Sequence, residues 1–151
     1  MLLQSRLERF TTERLNTAMQ KGWGKPIVDG SFFATDLGGE SAILKMNSTF
    51  YTITHNERRL GFDELGERNI PEWAMHGGFS ALRAAFPGGI PDDSLPLFYG
   101  FLGLILAQLI SADTVGLFFL EASTFVPNSE DLRTRLQSAE NFTPSQLPGA
   151  A

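Results

Sequence analysis

Residues 95–125 read LPLFYGFLGLILAQLISADTVGLFFLEASTF, and this stretch decides the fold. From Leu97 to Ile110 nearly every face of a helix would be apolar, which predicts an element buried on most sides. Asp92, Asp93 and Ser94 stand at its front, where unpaired N–H groups and the helix dipole favour acidic and hydroxyl side chains. Pro96 falls in the first turn, where its missing N–H has no intrahelical partner to lose. The run is shorter than the roughly 20 apolar residues of a membrane span, and Ser111-Ala112-Asp113 closes it. A buried central helix over about 94–111 is therefore expected. Gly100, Gly103, Ala107 and Ser111 share one face of it. Each interior glycine costs about 1 kcal/mol against alanine, so the small stripe needs a use. Close packing of the helix backbone on a sheet is favoured over a small-residue dimer seam. Val115 to Leu120 then reads as a strand covered on both faces, with Glu121 as a solvated charge at its end.

Working outward, 151 residues suit one domain with a real core, and a hydrophobic content of 42% with 13 phenylalanines excludes general disorder. We assign residues 1–140 to one α+β domain and 141–151, which contains Pro, Ser and Gly, to a frayed tail. The formal charge of −5 argues against a nucleic-acid partner, because phosphate binding needs clustered Lys and Arg. With no cysteine, disulfides, thiol nucleophiles and thiolate metal sites are all excluded. The opening MLLQSRLERFTTERL has charges among its apolar positions and no signal-peptide core, so the expected compartment is the cytoplasm, with no membrane association.

Leu15, Ala18 and Met19 follow helical spacing, with Thr11 or Thr12 as cap and Gly22 or Gly24 as stop. Two readings remain open for what precedes them: one helix from Leu3 to Lys21, or a short strand and then a helix from Thr12. Trp23 is read as a packing anchor. Ser31 to Leu37, Ser41 to Met46 and Ser48 to Thr54 form an antiparallel meander with Gly38-Gly39 as a turn. From His55 to Gly78 the apolar period fades; Phe62 to Leu65 could make a helical turn, and Pro71 breaks what precedes it. Phe79 to Phe86 fits either a helix or a strand. A last helix starts at Asn128 or Ser129, with Leu132 and Leu136 on one face. The fold class expected is α+β: an antiparallel or mixed sheet against two or three helices.

Chemistry is hard to place on this chain. His55 and His76 lie in no metal-ligand spacing, and Glu72 with His76, four residues apart, is two ligands short of a site. No strained serine elbow and no phosphate loop is present. No catalytic, cofactor-binding or metal-binding residue is assigned, and no cofactor is expected.

Three stretches, TTERLNTAMQKGWG (11–24), ESAILKMNSTFYTI (40–53) and ADTVGLFFLEASTFVPNSEDLRTRL (112–136), carry a resemblance. Over about residues 11–140 the chain resembles an uncharacterised bacterial family of small α+β domains of unknown function. The resemblance implies a mixed α+β fold and a bacterial or phage origin, and it transfers no catalytic residues. The charged HNERRL stretch departs from that pattern.

Size, acidity and the lack of motifs point to a non-enzymatic protein-binding domain, most of all an immunity protein that neutralises a toxin or secreted effector, as a monomer or homodimer. Its contact surface is expected on the polar segment, at Arg58, Arg59, Phe62, Asp63, Glu64, Glu67 and Trp73, with the two aromatics as anchors. One alternative is a dimeric type III secretion-type chaperone whose N-terminal helix covers Leu3 to Lys21. Another is a small hydrolase or ligand-binding domain in which Glu72, His76 and Glu121 converge on a closed pocket.

Overall fold

The computed structural model describes residues 1–24, 32–46, 49–60, 70–85 and 88–151. Their strands are β1 (Leu2–Gln4), β2 (Phe32–Asp36), β3 (Ser41–Met46), β4 (Thr49–Asn56), β5 (Phe79–Ala85), β6 (Thr114–Phe119) and β7 (Thr124–Pro127). They form a single antiparallel sheet in the order β2-β3-β4-β5-β1-β6-β7. The helices are α1 (Thr12–Trp23), α2 (Leu95–Leu109) and α3 (Glu130–Ser138). The fold is α+β, as the sequence predicts.

The local reasons are mostly visible residue by residue. Thr11 Oγ1 accepts the Arg14 N–H at 3.1 Å to cap α1, and Gly24, at φ 67°, ends it in the left-handed region with its N–H on Gln20 O. The β2–β3 turn is held by Asp36, whose Oδ1 accepts the N–H groups of Gly38 and Gly39 at 2.8 and 2.9 Å. Those two bonds hold the Asp36 carboxyl below its ordinary pKa. Alternation then puts Leu44, Tyr51 and Ile53 on one face of the meander.

That face carries the helices. Leu15 and Met19 of α1, Ile105 and Leu109 of α2, and Leu132 and Leu136 of α3 share a core with Leu2, Leu44, Ile53 and Leu117 of the sheet. The opposite face, from β5 to β7, holds a second core of Leu3, Phe79, Phe118 and Phe125, covered by Leu60, Ile70 and Ala74 from the connection between β4 and β5. Gly116 belongs to this arrangement. A Cβ there would lie 2.7 Å from the Phe125 ring, which crosses it from the neighbouring strand.

Several expectations are corrected. α2 is buried on the sheet side through Tyr99 and Leu106, but Leu97 remains 51% exposed, so the helix is enclosed on fewer sides than its composition suggests. Its glycine stripe packs on α3 and the chain after it, not on the sheet. A Cβ at Gly100 would collide with the Glu140 carbonyl oxygen, and one at Gly103 would lie 3.1 Å from the Leu136 carbonyl oxygen. The sheet side of α2 is given to aromatic rings instead, with Tyr51 stacked on Phe98 and Tyr99 edge-on to Phe119.

The N-terminal ambiguity resolves to a strand followed by a helix from Thr12, and Phe79 to Ala85 is a strand. β7 lies where the sequence reading assigned no element; Ser123, at φ 48°, turns the chain into it. The segment 141–151, expected to fray, is packed. Phe142 and Leu147 are buried, and Ala151 exchanges both backbone bonds with Phe125 at 3.0 and 3.1 Å. Thr143 and Gln146 complete a reciprocal cap around the 3₁₀ turn between them. Among the described residues no helix is long and apolar enough to cross a membrane.

Candidate functional site

Of the residues expected at the contact surface, Phe62, Asp63, Glu64 and Glu67 lie outside the described residues, as does the helical turn expected at Phe62 to Leu65. Arg58, Arg59 and Trp73 are described, and the fold gathers them on the sheet face away from the helices. After Pro71 the chain makes a short 3₁₀ turn, Glu72–Met75, whose Ala74 plugs into the second core. This leaves Trp73 on the outside at 57% exposure, its indole edge-on to the buried Phe125 at 5.7 Å. Arg59 Nη2 meets Glu72 Oε1 at 3.2 Å and ties the end of the β4 extension to that turn. Arg58 sets its guanidinium 5.4 Å over the Phe79 ring. Trp73 is thus an exposed aromatic next in the chain to Glu72, which pairs with Arg59, while Arg58 lies on the same sheet face over Phe79.

Glu72, His76 and Glu121 do not converge. Glu72 and His76 belong to the segment covering the second core. Glu121 is in the β6–β7 turn, at the rim of a cavity that neither of the others lines. The closed pocket required by the hydrolase reading is not formed by these three. No group of three or more potential metal-ligating side chains occurs among the described residues.

The structure also holds features that sequence reasoning missed. His55 is buried, with Nδ1 2.9 Å from Ser80 Oγ, while its Nε2 accepts the Phe10 N–H at 3.3 Å. A ring nitrogen that accepts a backbone N–H is unprotonated, so the neutral form carries its proton on Nδ1 and gives it to Ser80. Burial lowers the pKa of His55, aided by Arg9 and opposed by Glu40 and Asp36. Arg9 itself is held between Glu40 at 3.1 Å and Glu57 at 2.9 Å. The nearest thing to a nucleophile–base pair among the described residues is therefore sealed: Ser80 has no exposed surface, and the second ring nitrogen meets a backbone amide instead of a carboxylate. Only the cross-strand register, His55 opposite Ser80, makes the pair, and sequence separation hides it.

The second missed feature is a cavity of about 370 Å³ between the ends of β5 and β6 and the aromatic side of α2. Tyr51, Phe98, Tyr99, Leu102 and Phe119 line its wall, and Arg83 and Glu121 stand at its rim. Burial pushes the Tyr51 phenol up to about 12, and burial with the nearby Glu121 carboxylate raises that of Tyr99. Both phenols stay protonated at neutral pH, which suits apolar contact and hydrogen bonding but not nucleophilic chemistry. A groove on the far side of α2 is lined by Trp23, Leu97 and Phe101, with Trp23 stacked on Phe101 at 5.4 Å in its packing role. No family model, curated protein or solved structure matches this chain.

Proposed function

We propose that the chain is a non-enzymatic protein-binding domain of the immunity type, acting in the cytoplasm by covering the working surface of a toxin or secreted effector. The observation that supports it is Trp73. A large indole left 57% exposed, while its neighbours Ala74 and Ile70 are buried, is an aromatic anchor without a pocket of its own. Aromatic anchors with polar side chains about them dominate protein interfaces, and the Arg59–Glu72 pair, with Glu72 next to Trp73 in the chain, supplies polar groups on the same face. The net charge of −5 fits a basic partner. The secretion-chaperone alternative has less to stand on, because Leu2–Gln4 is a strand and the first helix starts only at Thr12.

The experiment is capture from native lysate at low salt with the tagged chain, with light scattering for mass. A monomer that retains one folded, basic enzyme, and loses it on Trp73→Ala by about 2 kcal/mol or more of binding energy, fits the proposal. A folded Trp73→Ala, Arg59→Ala double variant that holds the same partner undiminished sinks it.

A further inference from the structure

His55 lies where three parts of the chain meet, and each offers it a polar group. From β5, Ser80 Oγ stands 2.9 Å from Nδ1; from the connection between β1 and α1, the Phe10 N–H meets Nε2 at 3.3 Å. From the turn between β2 and β3, Glu40 O accepts the backbone N–H of His55 at 2.8 Å. The charges that act on the ring are the carboxylates of Glu40 and Asp36, from that turn, and the Arg9 guanidinium, next in the chain to Phe10. Arg9 is in turn shared between Glu40 and Glu57, at 3.1 and 2.9 Å.

The bond to Phe10 is the one that a proton removes. Nδ1 already carries a hydrogen and gives it to Ser80, so a second proton goes on Nε2. Nε2–H and the Phe10 N–H are then two donors face to face, and neither is satisfied while both stay buried. The connection can yield to this without the sheet. Of residues 5–11 only Phe10 is buried. Ser5 is anchored at one end by its N–H on Asp113 O at 2.8 Å, and Thr11 is fixed at the other as the cap of α1. Between them the Glu8 N–H on Gln4 Oε1 and the Phe10 N–H on His55 Nε2 both span 3.3 Å, at the long end of the hydrogen-bond range.

We infer that His55, Ser80 and the Phe10 amide form an acid-operated latch: a proton taken up on Nε2 releases Phe10, the segment Leu7–Phe10 swings out between its two anchors, and the His55–Ser80 pair opens to solvent. The Glu40 carboxylate meets the new N–H by giving up Arg9, which keeps Glu57. The direction in pH follows from the two states. In the open state the imidazole titrates near its ordinary 6.5, whereas in the closed state burial, foremost, opposes the proton. Below 6.5 the open state therefore gains on the closed one by up to about tenfold per pH unit, until the closed ring titrates as well. The latch is on the helix-covered face of the sheet, which His55 shares with Ile53 by alternation. It does not depend on the Trp73 surface, and either can fail alone.

The test is native-state amide hydrogen exchange on the whole chain, from about pH 5 to 7.5 and at several low urea concentrations, with each rate divided by that of the unstructured amide. Glu8 and Phe10 should exchange together, at protection about tenfold or more below that of Leu44 and Ile53 in the central strands, and without response to urea. Their protection should fall by up to about tenfold per pH unit below 6.5, while Ser5 keeps its own. His55→Gln, whose side-chain amide can accept from Phe10 and donate to Ser80 without titrating, should make Phe10 protection independent of pH. The inference is overturned if Phe10 shows the protection and urea response of Ile53, because the connection then leaves only when the whole chain unfolds. Local opening of Phe10 with no pH dependence overturns it too, as does a pH dependence that survives in His55→Gln. The first two outcomes are read on the unmodified chain, so the latch remains testable if the variant does not fold.

Discussion

The two faces of the sheet are covered in different ways. Three helices lie on one, each contributing residues at helical spacing: Leu15, Ala18 and Met19 from α1, Leu132 and Leu136 from α3, and the inner side of α2. On the other, the described cover consists of Leu60, Ile70 and Ala74 from the connection between β4 and β5, with Ala74 carried on the 3₁₀ turn Glu72–Met75. A helix hides its apolar stripe and shows its polar one. A single 3₁₀ turn has no such periodic stripe, so Glu72–Met75 seals a core with Ala74 and leaves the adjacent Trp73 in solvent. The difference teaches where to look for a partner surface: on the face whose cover has aromatic side chains to spare.

The largest effect should come from asking whether the second face has a true core. Phe118 has no exposed surface there, and its neighbour Leu117 is equally hidden on the helix face. Phe118→Ala should cost about 3–5 kcal/mol and Leu117→Ala about 2–5, read from urea unfolding. If Phe118→Ala costs only a few tenths while Leu117→Ala is severe, the cover over the second face seals nothing and the comparison collapses.

A second prediction has a counterintuitive sign. Gly100→Ala improves helix propensity by up to about 1 kcal/mol. The new Cβ would meet the Glu140 carbonyl oxygen, which is backbone and cannot rotate away. Overpacking of this kind costs about 1–3 kcal/mol, so the variant should be net less stable in thermal unfolding. A stabilised Gly100→Ala would mean that α2 and the chain after α3 are not in close contact.

The helix face was readable because its signals are local. Thr11 and Gly24 mark α1, Gly38-Gly39 marks the meander turn, and the 95–125 run holds both α2 and β6. What escaped depends on distant partners. β1 has three residues, too few for a period, and exists because β5 and β6 flank it. β7 is the partner of β6, and Phe142 and Leu147 look like tail residues until α2 is set beside them. The glycines of α2 announced a close approach without saying to what. At the candidate site, Trp73 and the arginine pair were visible as chemistry. Their gathering on one face needed the Arg59–Glu72 bond and the burial of Ala74, which no residue type encodes.

The third prediction concerns pH. His55 is a base whose folded pKa lies below its ordinary 6.5. Below 6.5 the unfolded chain binds the proton more readily than the native one, so stability is fully present above that pH and declines as pH falls toward the folded value. The slope is at most about 1.4 kcal/mol per pH unit. Denaturant midpoints measured between about pH 5 and 7, above most carboxylate titration, should show the decline, and His55→Gln should flatten it. An unchanged slope in that variant would show that Phe10 N–H and Ser80 do not hold the ring neutral.

The smallest stability effect sharpens the contrast most. An exposed ion pair such as Arg59–Glu72 contributes about 0–1 kcal/mol, and among the described residues the ring that Trp73 meets in the core is Phe125, edge-on. Arg59→Ala should shift unfolding by no more than about 0.5 kcal/mol and Trp73→Ala by about 1. These sites should matter to binding far more than to folding. Residues that maintain a fold and residues kept for a partner separate on that ratio. Were Trp73→Ala to destabilise the chain as severely as Phe118→Ala, the indole would be part of the cover over the second core, and the surface would lose its anchor.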